Sequence, residues 1–196
     1  MNTLFPVIIK IPEKERTLKG KGLVSSLSRF ARKALAISAE KSGRQLNGEL
    51  VKDDAGAPQP VNGIYWSLSH KPEYAAGVVS TQRTGIDVEK ITPFKEAIKR
   101  KIAGQAEWDL GGAAPPHHLF FRYWTAKETV LKATGQGLKG LSSCTIIEIA
   151  DEYNLKLACR HREYTVEHMY FDGHIASVIK NENDIVWSIL VGPDFD

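Results

Sequence analysis

The sequence predicts an α+β fold. Two long helical periodicities, over 23–42 and 119–134, stand among strand-like segments that cluster in the second half instead of alternating strictly with helices. The composition supports a packed domain. The chain has 196 residues, 42% hydrophobic and 25% charged, which argues against disorder and fibrous repeats. At this length folding buries roughly 70% of the unfolded surface, enough for a core without disulfides or structural metals.

Each element has a local reason. Leu23, Val24, Leu27, Phe30, Ala31, Ala34 and Leu35 recur at spacings of three and four, and Gly43 ends the pattern. A loop rich in Gly, Pro and Asp follows at 53–60. Ile64, Trp66 and Leu68 alternate with Tyr65, Ser67 and Ser69, predicting a half-buried strand ending at His70. Segments 75–80 and 85–89 read as strands, with the turn 81–84 predicting a hairpin between them. A polar helical stretch is expected over 93–106, then a loop at 111–116. The second strong helix, 119–134, is stopped by Gly135 and Gly137. Strands are expected at 144–149, 153–159, 164–170, 175–179 and 185–191.

Charge narrows the function classes. Lys plus Arg number 26 and Asp plus Glu 23, a net charge of +3, too small to imply a nucleic-acid binder. Residues 1–60 carry 11 basic and 6 acidic side chains, 61–141 carry 11 and 7, and 142–196 carry 4 and 10. This polarity describes either scattered solvated charge or a basic surface for an anionic partner. No apolar stretch approaches a membrane span, and the first residues lack a basic region ahead of an apolar one, so a cytoplasmic protein is expected. Cys144 and Cys159 form no CxxC, and no disulfide framework is expected.

Three constellations could carry chemistry. Asp87 and Glu89 are two apart on an extended segment, so both face one side while Ile86 and Val88 face the other. Adjacent carboxylates repel, which suits a site for a hard cation, although a solvated strand edge has the same spacing. Glu128 and Lys132 lie one helical turn apart, as in an ordinary surface pair or in a metal-and-phosphate site. His70 directly follows a strand and could donate to a phosphate, or serve only structure. The remaining histidines show no zinc-binding spacing. Gly135-Gln136-Gly137-Leu138-Lys139-Gly140 matches GxGxxG but follows a helix, which excludes a dinucleotide-binding turn. Ser38-Ala39-Glu40-Lys41 matches SxxK without the partner motifs of penicillin-binding enzymes.

Four ordered segments together resemble the 4′-phosphopantetheinyl transferase superfamily, in particular its surfactin-synthetase-type, two-half branch. They are Trp66-Ser67-Leu68-Ser69-His70, Gly85-Ile86-Asp87-Val88-Glu89, Trp124-Thr125-Ala126-Lys127-Glu128-Thr129-Val130-Leu131-Lys132 and Gly135-Gln136-Gly137-Leu138. Phe171-Asp172-Gly173-His174-Ile175-Ala176 resembles the family's late strand more loosely. The resemblance implies two similar α/β halves packed as a pseudo-dimer. It divides the chain into a shortened N-terminal half, 1–84, on the 3′-phosphate side of coenzyme A, and a C-terminal half, 85–196, carrying metal and catalysis. It implies Mg²⁺-dependent transfer of 4′-phosphopantetheine from coenzyme A to a serine of an apo acyl or peptidyl carrier protein, as in holo-carrier-protein synthases. Adenosine 3′,5′-bisphosphate would be released, and the enzyme would act as a monomer in fatty-acid, polyketide or nonribosomal peptide biosynthesis.

The implied roles follow residue by residue. Asp87, Glu89 and Glu128 would bind Mg²⁺, and Lys132 a phosphate oxygen. Ser69 and His70 belong to the cofactor-binding strand, with His70 on either the diphosphate or the 3′-phosphate. Glu107, in Gln105-Ala106-Glu107-Trp108, resembles a glutamate proposed as the base, acting directly or through water. Where the family often has Gly-Lys-Pro, this chain has Gly56-Ala57-Pro58, and Lys71 stands where a serine commonly follows the histidine. Lys71 is therefore expected as a replacement cation, and Arg29 and Arg32 as 3′-phosphate ligands. The competing readings are a silent relative that only binds, and a Mg²⁺ phosphohydrolase on another fold.

Overall fold

The computed structural model describes residues 2–54 and 56–192; Met1, Ala55 of the 53–60 loop and residues 193–196 lie outside them. The chain runs through β1 (Thr3–Leu4), β2 (Val7–Lys10), α1 (Glu13–Arg16) and α2 (Gly20–Lys41), then β3 (Tyr65–His70), β4 (Tyr74–Ser80) and β5 (Ile86–Lys90). Helices α3 (Glu96–Ile102), α4 (Gln105–Asp109) and α5 (Pro116–Thr134) follow, and a 3₁₀ turn spans Leu138–Ser143. The last strands are β6 (Cys144–Ile149), β7 (Asn154–Cys159), β8 (Arg162–Phe171), β9 (His174–Ile179), β10 (Asp184–Ile185) and β11 (Ser188–Leu190).

These strands form a four-stranded sheet of order β11-β2-β4-β3, a five-stranded antiparallel sheet of order β5-β9-β8-β7-β6, and a short parallel pair, β1-β10. Each large sheet carries one long helix. Leu27, Phe30, Ala31 and Ala34 of α2 pack on Val7, Ile9 and Ala75. Tyr123, Ala126, Val130 and Leu131 of α5 pack on Leu155, Leu157, Val166 and Ile175. The opposite sheet faces meet: Ile8, Ala76 and Val78 share a third cluster with Ile86, Val88, Ala176 and Val178. The order of layers is helix, sheet, sheet, helix, which confirms the mixed α and β character expected from the sequence. Close approach fixes Gly85, where a Cβ would lie 1.9 Å from the Thr129 carbonyl oxygen.

Several expectations need correction. The 75–80 and 85–89 segments do not form a hairpin. Both edges of β4 are already taken by β2 and β3, so β5 crosses to the other sheet and pairs with β9. The 93–106 helix is interrupted at Ala103 and Gly104, whose backbones are extended. The 185–191 strand breaks into β10 and β11, which pair in parallel with β1 and β2. Val24, assigned to the apolar stripe of the first helix, is exposed. Cys144 and Cys159 face one another across β6 and β7, with Cα atoms 4.2 Å apart, and are joined as a disulfide.

Candidate active site

The site forms where the edge strand of one sheet, β3, runs beside the edge strand of the other, β5. Two sheet edges that meet without laddering leave backbone N–H groups needing partners. The alternating serines of β3 supply them. Ile86 N–H donates to Ser67 Oγ at 3.1 Å, and Val88 N–H to Ser69 Oγ at 3.4 Å. Both serines are buried, so the polar side of this strand faces β5 and not solvent. Ser69 Oγ in turn donates to Asp87 Oδ1 at 2.8 Å, which joins two of the sequence-predicted residues directly.

Helix α5 brings the third contribution. Lys132 Nζ is 2.8 Å from Asp87 Oδ1 and donates to the Ile86 carbonyl at 3.0 Å. Glu89 accepts from Trp124 Nε1 and pairs with Lys71, each at 2.8 Å. Burial first, and then the Asp87 carboxylate, push the carboxyls of Glu89 and Glu128 above the usual range. Two oxygens, Asp87 Oδ2 and Glu128 Oε1, are buried with no hydrogen-bond partner. His70 lies next to this cluster, and burial followed by Lys132, Lys71 and Lys52 holds its imidazole below the usual value.

Orphaned buried carboxylate oxygens are the donor type a hard cation requires, so the residues fit Mg²⁺. Among the described residues no three His, Cys, Asp or Glu side chains converge as a preformed cage. Lys71 and Lys132 each engage one carboxylate instead. That suits an ion normally held by one or two carboxylates plus water and phosphate oxygens.

A pocket of about 160 Å³ opens beside the cluster, lined by Lys52, the 56–58 loop, the Trp66–Leu68 segment of β3, and Glu128, Leu131, Lys132, Gly135 and Gly137 of the α5 end. Gly135 ends α5 in the left-handed conformation, φ 70°. The GxGxxG segment therefore turns the chain at the end of a helix, as its sequence context required.

Three predicted residues are not brought to this place. Glu107 lies beneath α5. Its Oε1 pairs with Lys127 Nζ at 2.7 Å and accepts from Ile146 N–H at 2.8 Å, and its Oε2 accepts from Gly104 N–H at 2.8 Å. Both oxygens are engaged in holding α4 to α5 and β6. Arg29 is exposed and pairs with Glu15 at 3.0 Å, and Arg32 donates to Ser28 at 3.1 Å. Neither arginine lines the pocket, because the inner face of α2 is filled by its apolar packing on the four-stranded sheet. Lys52 was missed in turn, although the neighbouring Gly56-Ala57-Pro58 segment was marked by the resemblance. An exposed lysine in a polar loop carries no periodic signal.

The profile of the 4′-phosphopantetheinyl transferase superfamily matches residues 83–185, which include β5, α5 and the five-stranded sheet. The chain is similar to the 4′-phosphopantetheinyl transferase HetI of Nostoc sp. strain PCC 7120, with 37% identity over 95 residues, 45% of this chain and 39% of HetI. It is also similar to the 4′-phosphopantetheinyl transferase psf-1 of Bacillus pumilus, with 30% identity over 105 residues, 50% of this chain and 45% of the relative. The 4′-phosphopantetheinyl transferase gsp of Aneurinibacillus migulanus is 30% identical over 90 residues, 44% of this chain and 38% of its own. The chain thus spans less than half the length of these curated relatives. The match still covers just over half of this sequence and contains the buried carboxylates and the lysine that faces them, so the chain belongs to the 4′-phosphopantetheinyl transferase superfamily.

Proposed function

We propose that the protein transfers the 4′-phosphopantetheine group of coenzyme A to a serine hydroxyl of an acyl or peptidyl carrier protein, as a monomeric cytoplasmic enzyme. The observation that carries the reading is that Ser69 and Lys132 both hydrogen-bond Asp87, while Lys132 and Glu128 line one pocket. The helix-on-sheet units then correspond to the two halves of a pseudo-dimer, with coenzyme A in the cleft between them.

In this reading Asp87 and Glu128 would hold Mg²⁺, with Glu89 beside them engaged by Lys71 and Trp124, and the bound ion would neutralise diphosphate charge. Lys132 binds a diphosphate oxygen, and His70 and Ser69 orient the same anion from the β3 side. The serine oxygen of the carrier forms a new bond to the phosphorus bearing pantetheine. The bond from that phosphorus to the adenosine side breaks, and adenosine 3′,5′-bisphosphate leaves with the electron pair. Such a displacement depends on alignment and charge neutralisation more than on covalent help from the protein. The serine proton must pass to a base. Glu128 is our candidate, directly or through water, because it lines the pocket and keeps one oxygen unpartnered.

The test is to incubate the protein with coenzyme A, Mg²⁺ and apo acyl or peptidyl carrier proteins and to weigh the carriers. The expected result is a gain of one phosphopantetheine on a serine. Unchanged mass across carriers of both kinds, with the added enzyme folded, would overturn the reading.

A further inference from the structure

Cys144 is the first residue of β6 and Cys159 the last of β7, so their bond closes one end of the hairpin at the edge of the five-stranded sheet. Both are buried, yet the chain leaves the sheet directly beyond them. The 3₁₀ turn 138–143 precedes Cys144, and the exposed residues Arg160 and His161 follow Cys159. A bond in the middle of a sheet is reached only when the sheet unfolds, whereas one at the end of an edge hairpin is reached by local opening.

The disulfide touches the back of the pocket wall. Gln136 Nε2 lies 3.7 Å and Ser143 Oγ 3.8 Å from Cys159 Sγ. Ser143 Oγ donates to Gln136 Oε1 at 3.1 Å, and Gln136 Nε2 donates to Thr134 Oγ1 at 2.9 Å. There is no spare room around this side chain: a Cβ on Gly140 would lie 2.7 Å from the Gln136 Cβ and 2.8 Å from Leu131 Cδ2. Gly135 and Gly137, on either side of Gln136, both line the pocket and both have positive φ, 70° and 57°. The glutamine side chain thus rests against the disulfide while its neighbours form the wall, joined by the two residues freest to change backbone angles. Two thiols cannot stand as close as two bonded sulfurs, so breaking the bond drives sulfur into surroundings already close-packed. Gln136 is the neighbour placed to yield.

We propose that Cys144 and Cys159 form a redox-reactive pair whose disulfide fixes the 135–137 wall, and that reduction displaces this wall through Gln136 and weakens binding in the pocket. The proposal rests on the function proposed above for its ligand, coenzyme A. A dithiol reductant supplies the electrons. One of its thiolates attacks a sulfur of the pair and displaces the other as thiolate, and its second thiolate then attacks the mixed disulfide. The reductant leaves as its own disulfide, and the two protons it gives up are taken by Cys144 and Cys159.

The test compares the full chain before and after treatment with dithiothreitol, with thiols counted after denaturation to confirm each state. Titration calorimetry uses S-methyl coenzyme A, a thioether that cannot enter thiol exchange. Reduction should weaken its binding roughly fivefold or more, the lower end of ordinary coupling between sites, and reoxidation should restore it. In isotope-labelled protein without ligand, the Gly135 and Gly137 amide resonances should shift on reduction. Gln136→Ala keeps the disulfide but removes the side chain that carries its state to the wall, so both effects should shrink there, the affinities of its two forms agreeing within about twofold. Equal affinity of the oxidised and reduced parent overturns the proposal. So does a loss on reduction that persists in full in Gln136→Ala, because a disulfide serving general stability behaves that way. If neither form of the parent binds the thioether, with or without Mg²⁺, the functional reading falls and the glycine resonances decide: resonances that shift keep the coupling, and resonances that stay fixed overturn it.

Discussion

Lys132 Nζ lies 2.8 Å from Asp87 Oδ1, a contact 45 residues apart in sequence that ties helix α5 to the edge strand β5. The same Asp87 leaves its second oxygen buried without a partner, and Glu128, one turn before Lys132, does likewise. These oxygens carry the activity expected of the site. Asp87→Ala and Glu128→Ala should each lower carrier modification by at least about a hundredfold, the scale seen when one electrostatic group of a transition-state site is removed. Glu128→Gln should also raise the melting temperature of the metal-free protein, because it replaces an unpaired buried charge with a neutral group of the same shape. Mg²⁺ should shift the melting of the parent upward and that of Glu128→Gln much less. Melting curves with and without Mg²⁺ check both directions.

The sequence carried much of this arrangement for one reason and hid the rest for another. Helix α5 and strands β3 to β9 follow local periodicities and turn residues, so 119–134 and 144–149 fall within three residues of their observed ends. Which strands pair is a non-local choice. The turn 81–84 looks like a hairpin connection from its own residues, and only the occupancy of both β4 edges shows why it is not. Within the site, Asp87 and Glu89 were legible because strand alternation puts them on one face. The burial of Ser67 and Ser69 was not, since a serine beside an apolar residue reads as solvent-facing until a second sheet edge is present. Arg29 and Arg32 lie outside the apolar stripe of α2, but a stripe does not reveal whether a pocket lies in front of its polar side.

Glu107 and Lys127 form a buried pair whose worth is structural. Lys127 is 1% exposed and also donates to the Ile102 carbonyl at 2.7 Å, and burial lowers its ammonium below the usual lysine value. Lys127→Met leaves the Glu107 carboxylate without its cation in a mostly buried position. The expected cost is about 3–5 kcal/mol of folding stability, measured as a lower urea midpoint. Replacing both residues, Glu107→Leu with Lys127→Met, should recover part of that loss, because a desolvated pair contributes less net stability than its single truncations suggest. A Lys127→Met protein as stable as the parent would show that the pair is not anchoring α4.

Gly85 has a sharper steric requirement. A Cβ there would sit 1.9 Å from the carbonyl oxygen of Thr129 and 2.8 Å from its carbon, both main-chain atoms of α5 that cannot rotate away. Gly85→Ala should therefore push β5 and α5 apart, costing about 3 kcal/mol or more, and with them Asp87 from Lys132. The variant should lose carrier modification even at temperatures where far-ultraviolet circular dichroism shows it folded. Unchanged turnover would mean the spacing of the two elements does not matter to the site.

His168 gives the fold a pH dependence separate from the site. Its Nδ1 lies 2.8 Å from Ser177 Oγ, which donates to Thr125 Oγ1 at 2.6 Å, and its Nε2 is buried without a partner. Complete burial first, and then Arg122, hold the imidazole well below the usual value of 6.5, with Asp151 opposing weakly. The unfolded chain therefore binds a proton near pH 6.5 that the native protein does not take up until lower pH. The contribution of His168 to stability is complete above about pH 6.5 and declines as the pH falls below it, by up to about 1.4 kcal/mol per pH unit. Denaturant midpoints taken from about pH 7 to about pH 5 should fall steeply in the parent. In His168→Gln, which keeps a polar group beside Ser177 but cannot take up the proton, the curve should start lower and run flatter. Parallel curves for the two proteins would place the acid sensitivity elsewhere in the chain.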